Sequence, residues 1–228
     1  MQFATALITW SFWLSTAYSG AAQSNDSLLC DEYEARARAG EPTAQVAIAN
    51  CYLLGIGRSE DLKQAEYWLK ESIQASSSDG MTSMASAHLF GKFKDPDYSY
   101  ALNLLKRAIE DENASARFVL GLAHNNGLGV PKDRYLAITQ IRSAAAAGHS
   151  LGQFVMFGSY ELGLFGMEKD SELAQYWKKQ LEQGLRRQQT STIRTYAQAI
   201  LDDEQVRKFV FEPEEMEQLR QYLCTSNR

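Results

Sequence analysis

The chain has 228 residues and a net charge of −5, with 45% hydrophobic and 22% charged residues. Those proportions belong to a globular chain, large enough for one ordinary domain or an array of small units, and they exclude disorder. Its clustered basic residues, Lys178, Lys179, Arg186 and Arg187, are scattered among glutamine and glutamate, which leaves nucleic acid without a basic patch to bind.

Residues 1–22 carry no charge. An apolar stretch from Phe3 to Tyr18 is closed by the small residues Ser19, Gly20, Ala21 and Ala22. The stretch is shorter than the ~20 residues of a membrane span, so it predicts a secretory signal cleaved near Ala22 and no stable membrane insertion afterwards. The missing Lys or Arg ahead of it leaves an uncleaved anchor as the alternative. "SLLC" does not make Cys30 a lipidation site, because Leu29 stands where a small residue is needed.

From residue 23 the sequence reads as helical hairpins. In "TAQVAIANCYLLG", Ala44, Ile48, Cys51 and Tyr52 fall on one helical face, and Gly55 ends the helix where a left-handed residue suits. Asp61 opens the next helix, with Gln64 placed to complete a capping box, and Leu62, Ala65, Trp68, Leu69 and Ile73 form its apolar face.

The pattern then recurs. Gly55, Gly91, Gly127 and Gly163 stand 36 residues apart, as do Tyr52, His88, His124 and Tyr160. Further columns are Ile48, Met84, Leu120 and Met156; Ala44, Gly80, Ala116 and Gly152; and Gly40, Ser76, Glu112, Gly148 and Gly184. The second helices align through Asp61, Asp97, Asp133 and Asp170, and through Ala65, Ala101, Ala137 and Ala174, after one inserted residue in "GLFGM". Units are expected near 41–76, 77–112, 113–148 and 149–184, within an array over 23–184. A lone hairpin buries too little apolar surface, so the units must stack on a shared core, with a groove along one side.

After residue 184 the repeat lapses. Two helices, near Thr192 to Leu201 and Glu214 to Leu223, are expected to cap the array within 185–228. The acidic residues Glu214, Glu215 and Glu217 follow Pro213, where a helix start favours negative charge, and read as solvated surface.

The third unit carries a recognisable set in Ala116, Leu120, Gly121, Gly127, Gly129, Val130, Asp133, Ala137, Ala144, Ala145 and Gly148. It resembles the Sel1-like repeat, a relative of the tetratricopeptide repeat, with His124 in place of the usual Tyr. The first unit (Tyr52, Gly55, Gly57, Asp61, Ala65, Trp68) and the fourth (Tyr160, Gly163, Asp170, Ala174, Trp177) agree. The second departs, with Phe93 at the second Gly and "FKDPD" as its turn. The resemblance, over about residues 27–184, implies an all-α helical-hairpin solenoid. It also implies a non-enzymatic adaptor that binds another protein or peptide without a cofactor, often in a bacterial envelope.

Two other readings stay open. One is an enzyme or β-lactam-binding protein resembling cysteine-rich relatives, which carry a cysteine pair in nearly every repeat. The other is an adaptor of the endoplasmic-reticulum lumen, for which Asn25 and Asn113 would be glycosylation sites.

Candidate sites follow from the columns. Gly127 and Gly129 lack the remaining residues of a nucleotide loop and follow a helix, so they are structural. His88 and His124 fill tyrosine slots, and equivalent positions in adjacent repeats lie ~10 Å apart, which disfavours a shared zinc. His149 has no evident partner. Cys30 and Cys51 flank a turn near Gly40 and Glu41 at matching heights, and the column of Cys51 is otherwise small (Ala87, Ala123, Ser159). A disulfide is expected, with two reduced buried thiols as the alternative and Cys224 left over. Beside the core columns, Asn50, Leu53, Leu89, Phe118, Leu122, Asn125, Phe154 and Glu161 are expected to line a partner groove, or else to pack against neighbouring units or the tail.

Overall fold

A computed structural model describes residues 23–187 and 208–225. The signal segment 1–22 and the helix expected near Thr192 to Leu201 lie outside the described residues, as does the side chain of Cys224. Among the described residues there are ten α-helices and no strand. They are α1 (Gln23–Arg38), α2 (Pro42–Leu54), α3 (Leu62–Gln74), α4 (Ser78–Leu89), α5 (Tyr98–Glu110), α6 (Ala114–Asn126), α7 (Arg134–Ala146), α8 (Ser150–Leu162), α9 (Ser171–Arg187) and α10 (Pro213–Thr225), with a 3₁₀ turn at Leu164–Gly166. No described helix is long and apolar enough to cross a membrane.

The helices form consecutive hairpins, the all-α class expected from the columns. They divide into two compact units, Met1–Val119 and Leu120–Arg228. In the first, α2 lies against α1, α3 and α4, and α4 also packs on α3 and α5; in the second, α8 lies against α7, α9, the 3₁₀ turn and α10.

The two helices of a hairpin bury themselves differently. The second helices are amphipathic: α3 buries Ala65, Trp68, Leu69 and Ser72, and α5 buries Ala101, Leu104, Leu105 and Ala108, at the same spacing 36 residues later. The first helices are buried round most of their circumference. In α2 every residue from Ala44 to Cys51 is buried, and in α8 every residue from Ser150 to Ser159. A helix buried round most of its circumference, polar side chains such as Asn50 and Gln153 included, forms an inner layer.

Small residues set how closely the layers approach. A Cβ on Gly80 would meet the Ser72 side chain, and one on Gly152 would lie 3.1 Å from the Ala145 nitrogen and 3.2 Å from the Ile141 oxygen. At Gly80 and Gly152 the column Ala44, Gly80, Ala116, Gly152 is therefore small because the second helix of the preceding hairpin presses against it. Gly121 does the same towards α7, where its Cβ would meet Ile141 Cγ1 at 2.8 Å and the Ala137 oxygen at 3.0 Å.

Candidate functional site

Four joints link the first and second helices, and the glycine column turns each. Gly55, Gly91, Gly127 and Gly163 all adopt positive φ, between 66° and 80°, the left-handed conformation that ends a helix without a Cβ penalty. The joint then closes on a single hydrogen bond. The backbone N–H of Asp61, Asp133 and Asp170 donates to the carbonyl of Tyr52, His124 and Tyr160, respectively, at 2.9–3.1 Å.

In the second joint, where "FKDPD" replaces the usual turn, the Asp97 N–H donates to the ring Nδ1 of His88 at 3.1 Å. The His88 ring also stacks near Phe93 and edge-on to Tyr100. Burial lowers its pKa below the ordinary histidine value, keeping the acceptor nitrogen unprotonated. His88 is thus an architectural acceptor standing in for a carbonyl.

The helix starts of the hairpins are capped in register, except that of α2, where Glu41 makes no side-chain cap bond. Asp61, Asp97, Asp133 and Asp170 accept from the N–H groups of the first turns of α3, α5, α7 and α9. The capping box expected of Gln64 is not completed by that residue, because the Asp61 N–H already donates to Tyr52. One step earlier in each unit lies a second cap column. The Ser77 hydroxyl accepts from Gly80, the Asn113 amide oxygen from Ala116, and His149 Nδ1 from Gly152. His149, without an evident partner in the sequence, is therefore the N-cap of α8; burial depresses its pKa to about 3, so the ring is neutral and free to accept.

The residue ahead of each of these caps is left-handed. Gly40 and Gly148 have φ of 87° and 93°, whereas Ser76 and Glu112 are held at 60° and 58°. Gly184 of the same column departs, since α9 runs through it to Arg187.

At the N-terminal end, Cys30 and Cys51 are joined by a disulfide with Cα atoms 6.4 Å apart. It ties α1 to α2. The Arg58 guanidinium completes the attachment, reaching Glu34 at 2.9 Å and Asp31 at 3.1 Å from α1 and donating to the Tyr52 hydroxyl at 2.8 Å. Its hydrogen bond holds the Glu34 carboxyl below the usual carboxylate range. A Cβ on Gly57 would stand 2.5 Å from the Asp26 backbone, so the first joint needs glycine there to admit α1.

The expected partner-groove residues fall elsewhere than on an open surface. Asn50, Leu53, Leu89, Phe118, Leu122, Asn125 and Phe154 are all buried, and Glu161 is half-buried. The all-round burial of the first helices is the reason. Alanine at Phe118 or Phe154 therefore perturbs the core before it reports on any partner.

In the second unit the C-terminal segment itself covers part of that set. The Asn126 side-chain amide donates to the Phe209 carbonyl at 2.7 Å, and the Asn125 amide reaches the Phe209 and Val210 carbonyls at 3.4 and 3.5 Å. The Phe211 ring lies edge-on between Phe154 and Phe165, with centroids 6.4 and 6.1 Å away.

Glu215 then anchors the start of α10. It accepts from Arg134 at 2.5 Å, from the Phe165 N–H at 2.6 Å and from the Glu212 N–H at 2.9 Å. Lys132 pairs with Glu212 at 3.1 Å. Glu214 and Glu217 are exposed as expected, but the side chain of Glu215 is only 12% exposed and is an internal ligand, not solvated surface. Phe165 belongs to the inserted "GLFGM" segment, has φ of 59°, and carries the Arg134 guanidinium 4.8 Å above its ring.

Among the described residues no three His, Cys, Asp or Glu side chains converge on a metal-sized site. The titratable groups that meet around Arg58 and Arg134 neutralise one another and tie one segment of the chain to another.

Comparison with known proteins agrees with this architecture. The Sel1 repeat profile matches residues 42–77, 78–113, 114–149 and 150–179. Among solved structures, a Sel1 repeat protein from Oxalobacter formigenes is similar at 20% identity and a TM-score of 0.58, over 99% of this chain and 89% of that one. A Sel1 repeat protein from Klebsiella pneumoniae aligns at 20% identity and a TM-score of 0.60, over 87% and 93% of the two chains. A protective antigen of uropathogenic Escherichia coli with the SLR fold aligns at 23% identity and 0.54, over 91% of this chain and 44% of that one. A search of curated proteins gives no match.

Proposed function

The chain belongs to the Sel1 repeat family, and from that premise we propose that it is an exported, non-catalytic adaptor that holds another protein or peptide in a bacterial envelope complex. The observation that carries this reading is the seating of Phe209–Glu215 on side chains of the first helices α6 and α8. Such positions can take a polypeptide through main-chain carbonyls, an aromatic ring and a carboxylate, which are contacts a separate chain can also supply.

Export is supported by two features. Residues 1–22 have the composition of a cleaved leader, and a structural disulfide such as Cys30–Cys51 is characteristic of an oxidising compartment such as the periplasm or the outside of the cell.

A photo-reactive amino acid at Glu161 or Lys132, introduced into the chain at native abundance in its own envelope, tests the reading. One predominant adduct is expected from those positions and none from Tyr67, which is exposed on the second helix α3. Absence of an adduct at both positions, or equal adducts at Tyr67, refutes it. Mass spectrometry of the exported chain should find a start after residue 22 and an intact disulfide.

A further inference from the structure

We propose that the site now filled by Phe209–Glu215 is a recognition site for a partner peptide of the same chemistry, and that the chain's own segment competes for it. That chemistry is an aromatic–aliphatic–aromatic turn leading into an acidic helix start. The proposal rests on the adaptor reading and adds to it the nature of the partner and a means of regulation.

Three observations separate this contact from an ordinary core seam. Where α7 meets α6 and α8, the seam is made of small and aliphatic groups, with Gly121, Gly152, Ala137 and Ile141 in backbone-close contact. The Phe209–Glu215 contact instead joins buried aromatic and aliphatic anchors, Phe209, Val210 and Phe211, to polar contacts directed at features of any suitable chain. The Asn125 and Asn126 amides address backbone carbonyls of a turn, groups that no helix satisfies at its end.

Charge is the second observation. Two cations, Lys132 and Arg134, face two carboxylates, Glu212 and Glu215, and the side chains of Lys132, Arg134 and Glu212 stay 55%, 32% and 42% exposed. A mixed, partly wet contact of this kind resembles an interface that forms and releases more than a domain interior.

The third is Phe165. It is held at φ 59°, a conformation costly for a residue with a Cβ, and from there its N–H reaches Glu215 while its ring meets both Arg134 and Phe211. Ser76 and Glu112 share this φ in other turns, so what sets Phe165 apart is this set of contacts to the segment. The insertion that creates Phe165 is confined to the fourth joint, the one beside the segment.

An attached segment acts at a high effective concentration, so a free peptide competes poorly until the segment is weakened. The experiment uses the full chain and a fluorescein-labelled peptide spanning Lys208–Tyr222, with binding read by fluorescence anisotropy. Phe211→Ala in the chain is expected to tighten peptide binding at least tenfold over the unaltered chain, and Glu215→Gln by a smaller factor. Adding Arg134→Met to Phe211→Ala should abolish the gain, and a peptide carrying Glu215→Lys should not bind.

Peptide uptake no better than that of the unaltered chain, in variants whose helical content by circular dichroism is unchanged, overturns the proposal. If Phe211→Ala loses helical content, Glu215→Gln alone decides. Concentration-dependent dimers of the unaltered chain with no peptide uptake by any variant also overturn it, assigning the segment to exchange between copies. Cellular adducts at Glu161 without peptide uptake sink this proposal alone, whereas peptide uptake without adducts sinks the adaptor reading alone.

Discussion

Replacing His149 by asparagine separates two roles that the wild-type ring combines. Asparagine caps α6 one repeat earlier, where the Asn113 oxygen accepts from Ala116 at 2.9 Å, so His149→Asn keeps a cap on α8 while removing a titrating group. The ring is buried, and burial alone pushes its pKa down to about 3. In the unfolded chain it titrates near the ordinary value of about 6.5.

Because the folded value lies below the unfolded one, acid protonates the unfolded chain first. The stability lent by the neutral ring is full above pH 6.5 and is lost as the pH falls towards 3. In that window the wild type loses about 1.4 kcal/mol per pH unit that His149→Asn does not, which accumulates to about 3 kcal/mol by pH 4. Every other group titrates alike in both proteins and cancels in the difference. Urea unfolding at pH 7, 6, 5 and 4 gives the two curves. Parallel curves across this range would show that the ring is not held neutral by burial, and the cap assignment would lose its electrostatic half.

Other expectations follow from the same geometry. Reduction of the Cys30–Cys51 disulfide, or Cys51→Ser, should lower stability by about 3 kcal/mol for a crosslink spanning 21 residues; a non-reducing gel shift and a chemical melt check it. Ser76→Gly and Glu112→Gly should each raise stability by about 0.5–1 kcal/mol, since both residues are forced to positive φ where glycine has no penalty. An unchanged or lower melting midpoint in both variants contradicts this. Gly121→Ala should destabilise by about 1–3 kcal/mol, the clash with Ile141 and the Ala137 carbonyl outweighing the gain in helix propensity; a more stable protein in urea would show that α7 yields.

The parts of this fold that were legible in the sequence are those in which identity itself repeats. Four glycines must be glycine because a left-handed residue ends each first helix, and four aspartates recur because a short carboxylate caps each second one. Cys30 and Cys51 could be paired because a turn near Gly40 fixes their heights and the column of Cys51 stays small. His149 was missed because its column, Glu41, Ser77, Asn113, His149, is defined by position at the helix start while its chemistry changes at each step. The 36-residue step pointed to it all the same.

Two features lay beyond periodic reading. The first helices are enclosed round most of their circumference, which one apolar face per helix does not reveal, and so residues such as Leu53 and Leu122 read as groove when they are core. Glu215 meets Arg134 across 81 positions and Phe165 across 50, distances at which a local pattern carries no signal.

The doubled capping has a consequence for how such a chain can lengthen. From the second hairpin on, each unit caps the amides at both of its own helix starts, so a cut made once per period there begins and ends on a capping residue. A segment of one whole period can thus be copied or deleted without orphaning a donor at the splice, and growth by tandem duplication is chemically silent. A shift of one residue is tolerated only where a joint can coil it into a 3₁₀ turn, as at Leu164–Gly166.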